Sequence, residues 1–125
     1  MPGQWRYLSM LLAAGWAGVI FYLSSLPGID TPPLFPHQDK LLHAIAYALL
    51  GFLVLGAMRP TANGHGRRQL LLAITMTAIY GALDEVHQHF VPGRMPDGLD
   101  VLADLAGAVF GVYALGWFLK RHKRK

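Results

Sequence analysis

Sorted into apolar and polar positions, the chain is four apolar blocks separated by short polar or proline- and glycine-rich joints. The first block covers residues 7–26 and is uncharged, with Trp5 and Arg6 before it. The second covers 41–58, between Asp39-Lys40 and Arg59-Pro60. The third starts at Gln69, carries no charge to Leu83, and continues at helical spacing through Asp84 to Phe90, where Pro92-Gly93 ends it. The fourth runs over 99–119 and stops at the basic tail Lys120-Arg121-His122-Lys123-Arg124-Lys125. A helix rises about 1.5 Å per residue, so about 20 apolar residues cross a hydrocarbon core roughly 30 Å thick. The pattern predicts an all-α polytopic membrane protein, a four-transmembrane-helix bundle in a single domain 1–125, with helices over 5–26, 40–58, 69–90 and 99–119.

Prolines 27, 32, 33 and 36 with Gly28 make 26–38 an expected extended loop, since proline removes donors and disfavours helix before it. Thr61 to Arg68 reads as a polar, glycine-rich turn. The first block is long for a signal-peptide core, and Ser24-Ser25-Leu26-Pro27-Gly28 lacks a small-x-small cleavage site, so it reads as a retained helix. Composition agrees: 54% of residues are hydrophobic and only 14% charged, where a soluble domain needs roughly a quarter charged. A net charge of +4 would suit nucleic acid, but the basic residues cluster at block ends. There they report orientation and contact with anionic lipid, and no nucleic-acid partner is expected. The absence of cysteine excludes disulfides and thiol chemistry.

Charge also orients the spans. Arg6, Arg59, Arg67, Arg68 and the five basic residues of the tail fall on one side, and only Lys40 and Arg94 on the other. The positive-inside rule then places both termini in the cytoplasm, in a multi-pass protein of the cytoplasmic (inner) membrane, with 26–38 and 91–98 facing outward. Counting along each span puts His43, Asp84, Glu85, Asp100 and Asp104 within roughly 10 Å of the outer boundary. They also continue stripes of small residues. Thr77, Gly81, Asp84, Glu85 and Gln88 share an arc of about 100°. Asp39, His43, Tyr47 and Gly51 share a face of the second span, and Asp100, Asp104, Gly107 and Gly111 one of the fourth. Small residues bring membrane helices close, so these stripes face inward and define an outward-facing polar pocket.

Ionisable groups at membrane depth are costly and point to function. Glu85, Asp84, His43, Asp100 and Asp104 are the candidate catalytic groups: a desolvated carboxylate suits general acid/base work, with His43 as complementary proton carrier. Arg94, whose fork matches phosphate or carboxylate, is a candidate substrate ligand, with Gln88, Tyr47 and Asp39. Structural roles compete. Asp97 reads first as a helix cap, and for Asp39 capping and pocket roles balance. Tyr47 can serve as a buried hydrogen-bond partner and Arg94 as half of an ion pair. His37, His65 and His122 are expected in solvent, and His87 and His89 at the interface. No nucleophile elbow, phosphate loop or His-Glu-x-x-His signature is present, and no cofactor or metal is assigned. A cation among Asp84, Glu85, Asp100 and Asp104 is the less favoured option.

These residues also carry a family resemblance. The matching features are Phe21-Tyr22-Leu23-Ser24-Ser25-Leu26-Pro27 and Asp39-Lys40-x-x-His43-x-x-x-Tyr47. With them come Tyr80-Gly81-x-x-Asp84-Glu85-x-x-Gln88-x-Phe90-x-Pro92-Gly93-Arg94, Asp100 and Gly107-x-x-x-Gly111. Together they resemble the VanZ-like family of small membrane proteins, named for a protein associated with low-level resistance to the glycopeptide teicoplanin. Two positions depart from it: Asp97 stands where small hydroxyl residues are common, and Asp104 where asparagine is typical. The resemblance implies a four-helix protein of the cell envelope without implying a reaction. The expected function is binding, or acting on, a lipid-linked or envelope substrate, with glycopeptide resistance as one role. The alternatives are a proton- or cation-coupled small transporter and a non-catalytic membrane scaffold. Expected partners are membrane lipids, a lipid-linked envelope precursor and, as a further option, a second copy of the chain; whether the protein is an enzyme stays open.

Overall fold

A computed structural model describes residues 3–27, 34–95 and 97–123. It contains four helices: α1 (Gly3–Ser25), α2 (Gln38–Ala57), α3 (Arg67–Gln88) and α4 (Gly98–Lys123). All four are long and apolar enough to cross a membrane, so the chain is a multi-pass, all-α membrane protein. The middle of the expected 26–38 loop, residues 28–33, lies outside the described residues. Helix α2 begins two residues earlier than the charge flank suggests, after His37, which sits in the left-handed region at φ 61°. Helix α4 does not stop at Leu119 but carries the tail's basic residues to Lys123. Lysine and arginine are good helix formers and suit the negative end of the helix dipole, so the change from apolar to basic marks the bilayer boundary and not the helix end.

The helices lie side by side, with α2 and α4 in the most intimate pairing. Gly107 and Gly111 of α4 sit on the backbone of Ala44 and Ala48 of α2, where a Cβ would collide with the carbonyls. On the α2 side, a Cβ on Gly51 would meet the Ala108 carbonyl oxygen at 3.0 Å. Residue numbers rise together along this contact, so α2 and α4 run parallel. Helix α1 runs antiparallel to α2: Trp16 Nε1 donates to Ala46 O at 2.8 Å, and Arg6 Nε donates to Ala57 O at 2.9 Å, satisfying a carbonyl at the end of α2. Helix α3 closes the bundle through Tyr80, whose hydroxyl donates to Ala17 O. The Trp16, Arg6 and Tyr80 donors of these helices thus find partners within the bundle, as the absence of water at membrane depth favours.

Two ends result. At one, the bundle is apolar: Leu55, Ala73, Val112 and Leu115 form a buried cluster that Phe52, Val54, Met58, Leu70, Ile74 and Leu119 cover. Arg59, Arg67, Arg68, Lys120, Arg121 and Lys123 surround this basic end. The other, carboxylate end holds the polar residues described below. The outside of the bundle is apolar, with Leu11, Phe21, Ile79, Leu83, Leu102, Phe110 and Trp117 all more than half exposed. An apolar belt of that extent on a water-soluble monomer would be an aggregation surface; against lipid it is the solvated face.

One expectation for the α2–α3 joint fails. His65 is buried, not solvated, with Nε2 3.1 Å from Met58 O. The turn folds back through reciprocal bonds between Thr61 and Gly64, whose φ of 95° suits glycine, and so lays the imidazole on the bundle end. Burial holds its pKa below the ordinary histidine range.

Candidate functional site

Because α2 and α4 run parallel, both begin at the carboxylate end, and their first turns meet. His43 Nδ1 lies 2.8 Å from Asp104 Oδ1, and His43 Nε2 lies 3.8 Å from Asp100 Oδ2. One turn nearer the surface, Lys40 Nζ reaches Asp39 at 2.6 Å, Asp97 at 2.9 Å and Asp100 Oδ1 at 2.9 Å. The last contact is close enough for an ion pair but off the hydrogen-bond direction. Asp97 does cap α4: its Oδ1 accepts the Leu99 N–H at 2.9 Å. That bond, and then Lys40, hold its carboxyl below the ordinary carboxylate range. Asp39 does not cap. It lies within the first turn of α2 and pairs with Lys40, while the N-cap residue, His37, makes no side-chain cap bond. Two parallel helix N-termini give this end a positive field that favours carboxylates.

Helix α3 supplies the opposite wall. Asp84, Glu85 and Gln88 are all buried on its inner arc. Tyr47 of α2 donates its hydroxyl to Asp84 Oδ2 at 3.1 Å, so the tyrosine is the buried hydrogen-bond partner its stripe suggests. Glu85 Oε1 accepts the Asp97 N–H at 2.8 Å, tying α3 to the start of α4. Gly81 makes this convergence possible, because a Cβ there would stand 2.9 Å from Asp104 Cβ and 3.1 Å from Tyr47 Cε1. Gln88 Nε2 donates to Ser24 Oγ at 3.2 Å.

Arg94 does not become half of an ion pair among the described residues; its Nε donates to Leu26 O at 3.0 Å and one terminal nitrogen to Leu23 O at 2.6 Å. The physical reason is the end of α1, whose last carbonyls have no intrahelical partner and attract a cation. His87 stacks on Phe21 with ring centroids 4.7 Å apart and places Nε2 2.9 Å from Ser25 Oγ. His89 is exposed beside Phe90.

The nine expected site residues therefore divide. Asp39, His43, Tyr47, Asp84, Gln88 and Arg94 line an open cleft of about 270 Å³, together with Ser24. Its remaining lining is Ile20, Leu23, Leu42 and Ala46, so the cleft combines hydrocarbon with polar groups. Glu85, Asp100 and Asp104 are not on the cleft surface but packed behind it, and His43 touches both parts. With Asp104 on Nδ1 and Asp100 Oδ2 3.8 Å from Nε2, His43 has a carboxylate beside each ring nitrogen. One donor atom each from His43, Glu85 and Asp104 also lies within 4.8 Å of the others, a spacing open to a metal ion.

Two residues of this site escape the sequence reading. Lys40 is the only lysine before residue 120 and stands one turn from His43, a signal that was there to be used. Ser24 carries a weaker one: it follows Ile20 by four residues in an apolar block, and only packing shows which of the block's serines turns inward.

Comparison with known proteins gives one match. The VanZ/LLP1 family pattern covers residues 8–119, all four helices apart from their outermost turns. No curated protein and no solved structure matches the chain.

Proposed function

The chain belongs to the VanZ/LLP1 family, and from that premise we propose that it binds, and acts by proton transfer on, the head group of a lipid or lipid-linked envelope molecule. The observation that carries this reading is the mixed lining of the cleft. Of its lining, Leu23 and Leu42 are about half exposed, while Tyr47, Asp84 and Gln88 are buried and His43 is largely so. An amphiphile meets both kinds of group without leaving the bilayer: its chain replaces lipid against Ile20, Leu23, Leu42 and Ala46, and its polar end reaches the polar groups. Pockets of this kind place a few oriented polar groups in a mainly apolar wall.

Within it each side chain has a task. His43, oriented from behind by Asp104, takes or gives the proton. Asp84, held by Tyr47, and Gln88, held by Ser24, fix the polar end through their remaining donors and acceptors. Arg94 braces the end of α1 and lines the cleft. Charge asymmetry supports an outward-facing site in the cytoplasmic membrane, where envelope precursors are handled. Tolerance of teicoplanin, the association behind the family's name, is one envelope role this reading extends to. Transport has less support, since beyond Thr77 the described bundle interior holds no carboxylate: it is the apolar cluster of Leu55, Ala73, Val112 and Leu115 with Ser9 beside it and His65 at the bundle end.

The test is to fill the cleft. Wild-type protein extracted in mild detergent is expected to carry about one amphiphile per chain in native mass spectrometry. Ala46→Phe is expected to lose it at unchanged melting temperature. Equal occupancy in a folded Ala46→Phe protein, or a wild type free of any bound amphiphile, overturns the proposal.

A further inference from the structure

Behind the cleft, α2, α3 and α4 bring His43, Glu85 and Asp104 to one point, with one donor atom of each within 4.8 Å of the other two. Half of their carboxylate oxygens are accounted for: Glu85 Oε1 accepts the Asp97 N–H and Asp104 Oδ1 pairs with His43 Nδ1. The other half are not. Glu85 Oε2 and Asp104 Oδ2 are sealed from solvent and have no hydrogen-bond partner, on side chains only 8% and 1% exposed. Buried carboxylate oxygens are costly without a donor or a cation. A Cβ on Gly81 would stand 3.0 Å from Asp104 Oδ2, so that oxygen points at α3 one turn from Glu85, into space the glycine leaves. Neither nearby cation answers them: Lys40 is engaged by Asp39, Asp97 and Asp100, and Arg94 by the carbonyls of α1.

We propose that His43, Glu85 and Asp104 form a binding site for one divalent first-row cation of the Zn²⁺ or Mn²⁺ class. One imidazole and two carboxylates are the donor set such ions take, whereas Ca²⁺ and Mg²⁺ favour oxygen alone. Ligand atoms held about 2.1 Å from a common ion stand about 3–4 Å apart, so small side-chain rotations close the set around it. Asp100 Oδ2, 3.8 Å from His43 Nε2, is placed to act as an outer carboxylate that orients the imidazole. The three ligands come from three helices, so the ion joins all three at one point. This site stands whatever occupies the cleft, and when the ion is bound His43 is its ligand and not the proton carrier proposed above.

The test uses full-length protein purified without a histidine tag, stripped with chelator, and titrated calorimetrically with Zn²⁺ alone and with Mn²⁺ alone. Metal content after desalting is measured in parallel. One tight site per chain is expected for at least one of the two ions. Asp104→Asn, which keeps shape and a hydrogen bond to His43, is expected to weaken it on the order of 100-fold with no loss of melting temperature. Glu85→Gln serves as the second variant and is expected to do the same. Surface histidines would bind Zn²⁺ equally in all three proteins. Absence of a tight site for either ion in the wild type overturns the proposal, as does undiminished affinity in the two variants.

Discussion

Lys40 holds three carboxylates, and they do not weigh equally. Asp39 and Asp97 are well exposed, so their ion pairs are screened and contribute little. Asp100 is buried, and removing its cation leaves a charge in a medium that cannot solvate it. Lys40→Met, which keeps the stem and removes the charge, is expected to destabilise the protein by about 1–3 kcal/mol, nearly all of it through Asp100. Thermal unfolding in detergent checks this, and the loss should shrink in Lys40→Met/Asp100→Asn; an unaltered transition in the single variant contradicts it. At this scale the sequence is readable only in part. The periodicity of Asp39, His43 and Tyr47 marked a face, but Lys40, one residue off it, read as a flanking charge. Only its long flexible stem lets it turn back. Arg94 was misread for a related reason: the nearest acceptors in sequence are carboxylates, whereas the nearest in space are the carbonyls of α1.

Among elements, the α2–α4 contact decides whether a site exists. Asp100 and Asp104 meet Lys40 and His43 only because Gly107 and Gly111 let the two backbones touch. Gly111→Ala is expected to cost about 3 kcal/mol, the upper range for overpacking, since the methyl group would meet backbone and not a movable side chain. Gly18→Ala, where nothing stands within 4 Å, is the control expected to change little. Unfolding midpoints of the two variants compared with wild type decide the point; equal midpoints for Gly111→Ala and Gly18→Ala contradict the packing argument. The stripe through Asp100, Asp104, Gly107 and Gly111 was legible, because helical spacing alone places those residues together. Its partner was not. Sequence neighbours suggest that α2 packs chiefly on α1 and α3, and nothing in residue spacing states that the parallel helix two places on is the closer one.

For the whole molecule, the decisive pattern is the separation of charge between ends. Arginines and lysines at the ends of all four helices gather at the basic end, and the carboxylates at the other. A reporter domain fused after Lys125 is therefore expected to be active only in the cytoplasm, as the positive-inside rule requires. Activity only outside the cytoplasm would invert the orientation of the site. This level was the most legible. A bilayer demands runs of about 20 apolar residues, and four such runs leave few other folds. The cleft is the least legible feature: its shape follows from how far α1 stands from α2 and α3 at Ala46 and Leu42, which no composition or periodicity encodes.

The parallel pairing of α2 with α4 also sets an order of assembly. The chain leaves the ribosome from its N-terminus, so Lys40 and His43 enter the membrane before Asp100 and Asp104 have been made. Until α4 arrives, Gly51 and the backbone of Ala44 and Ala48 are an unfilled groove on α2, and two polar side chains lack the partners that stabilise them at depth. The first three helices are thus an incomplete protein with a built-in vacancy for the fourth. Helix α4 is the segment that closes the polar cluster, so a chain cut short before it keeps the cleft residues of the first three helices and Arg94 but lacks Asp100 and Asp104, the carboxylates that His43 and Lys40 meet.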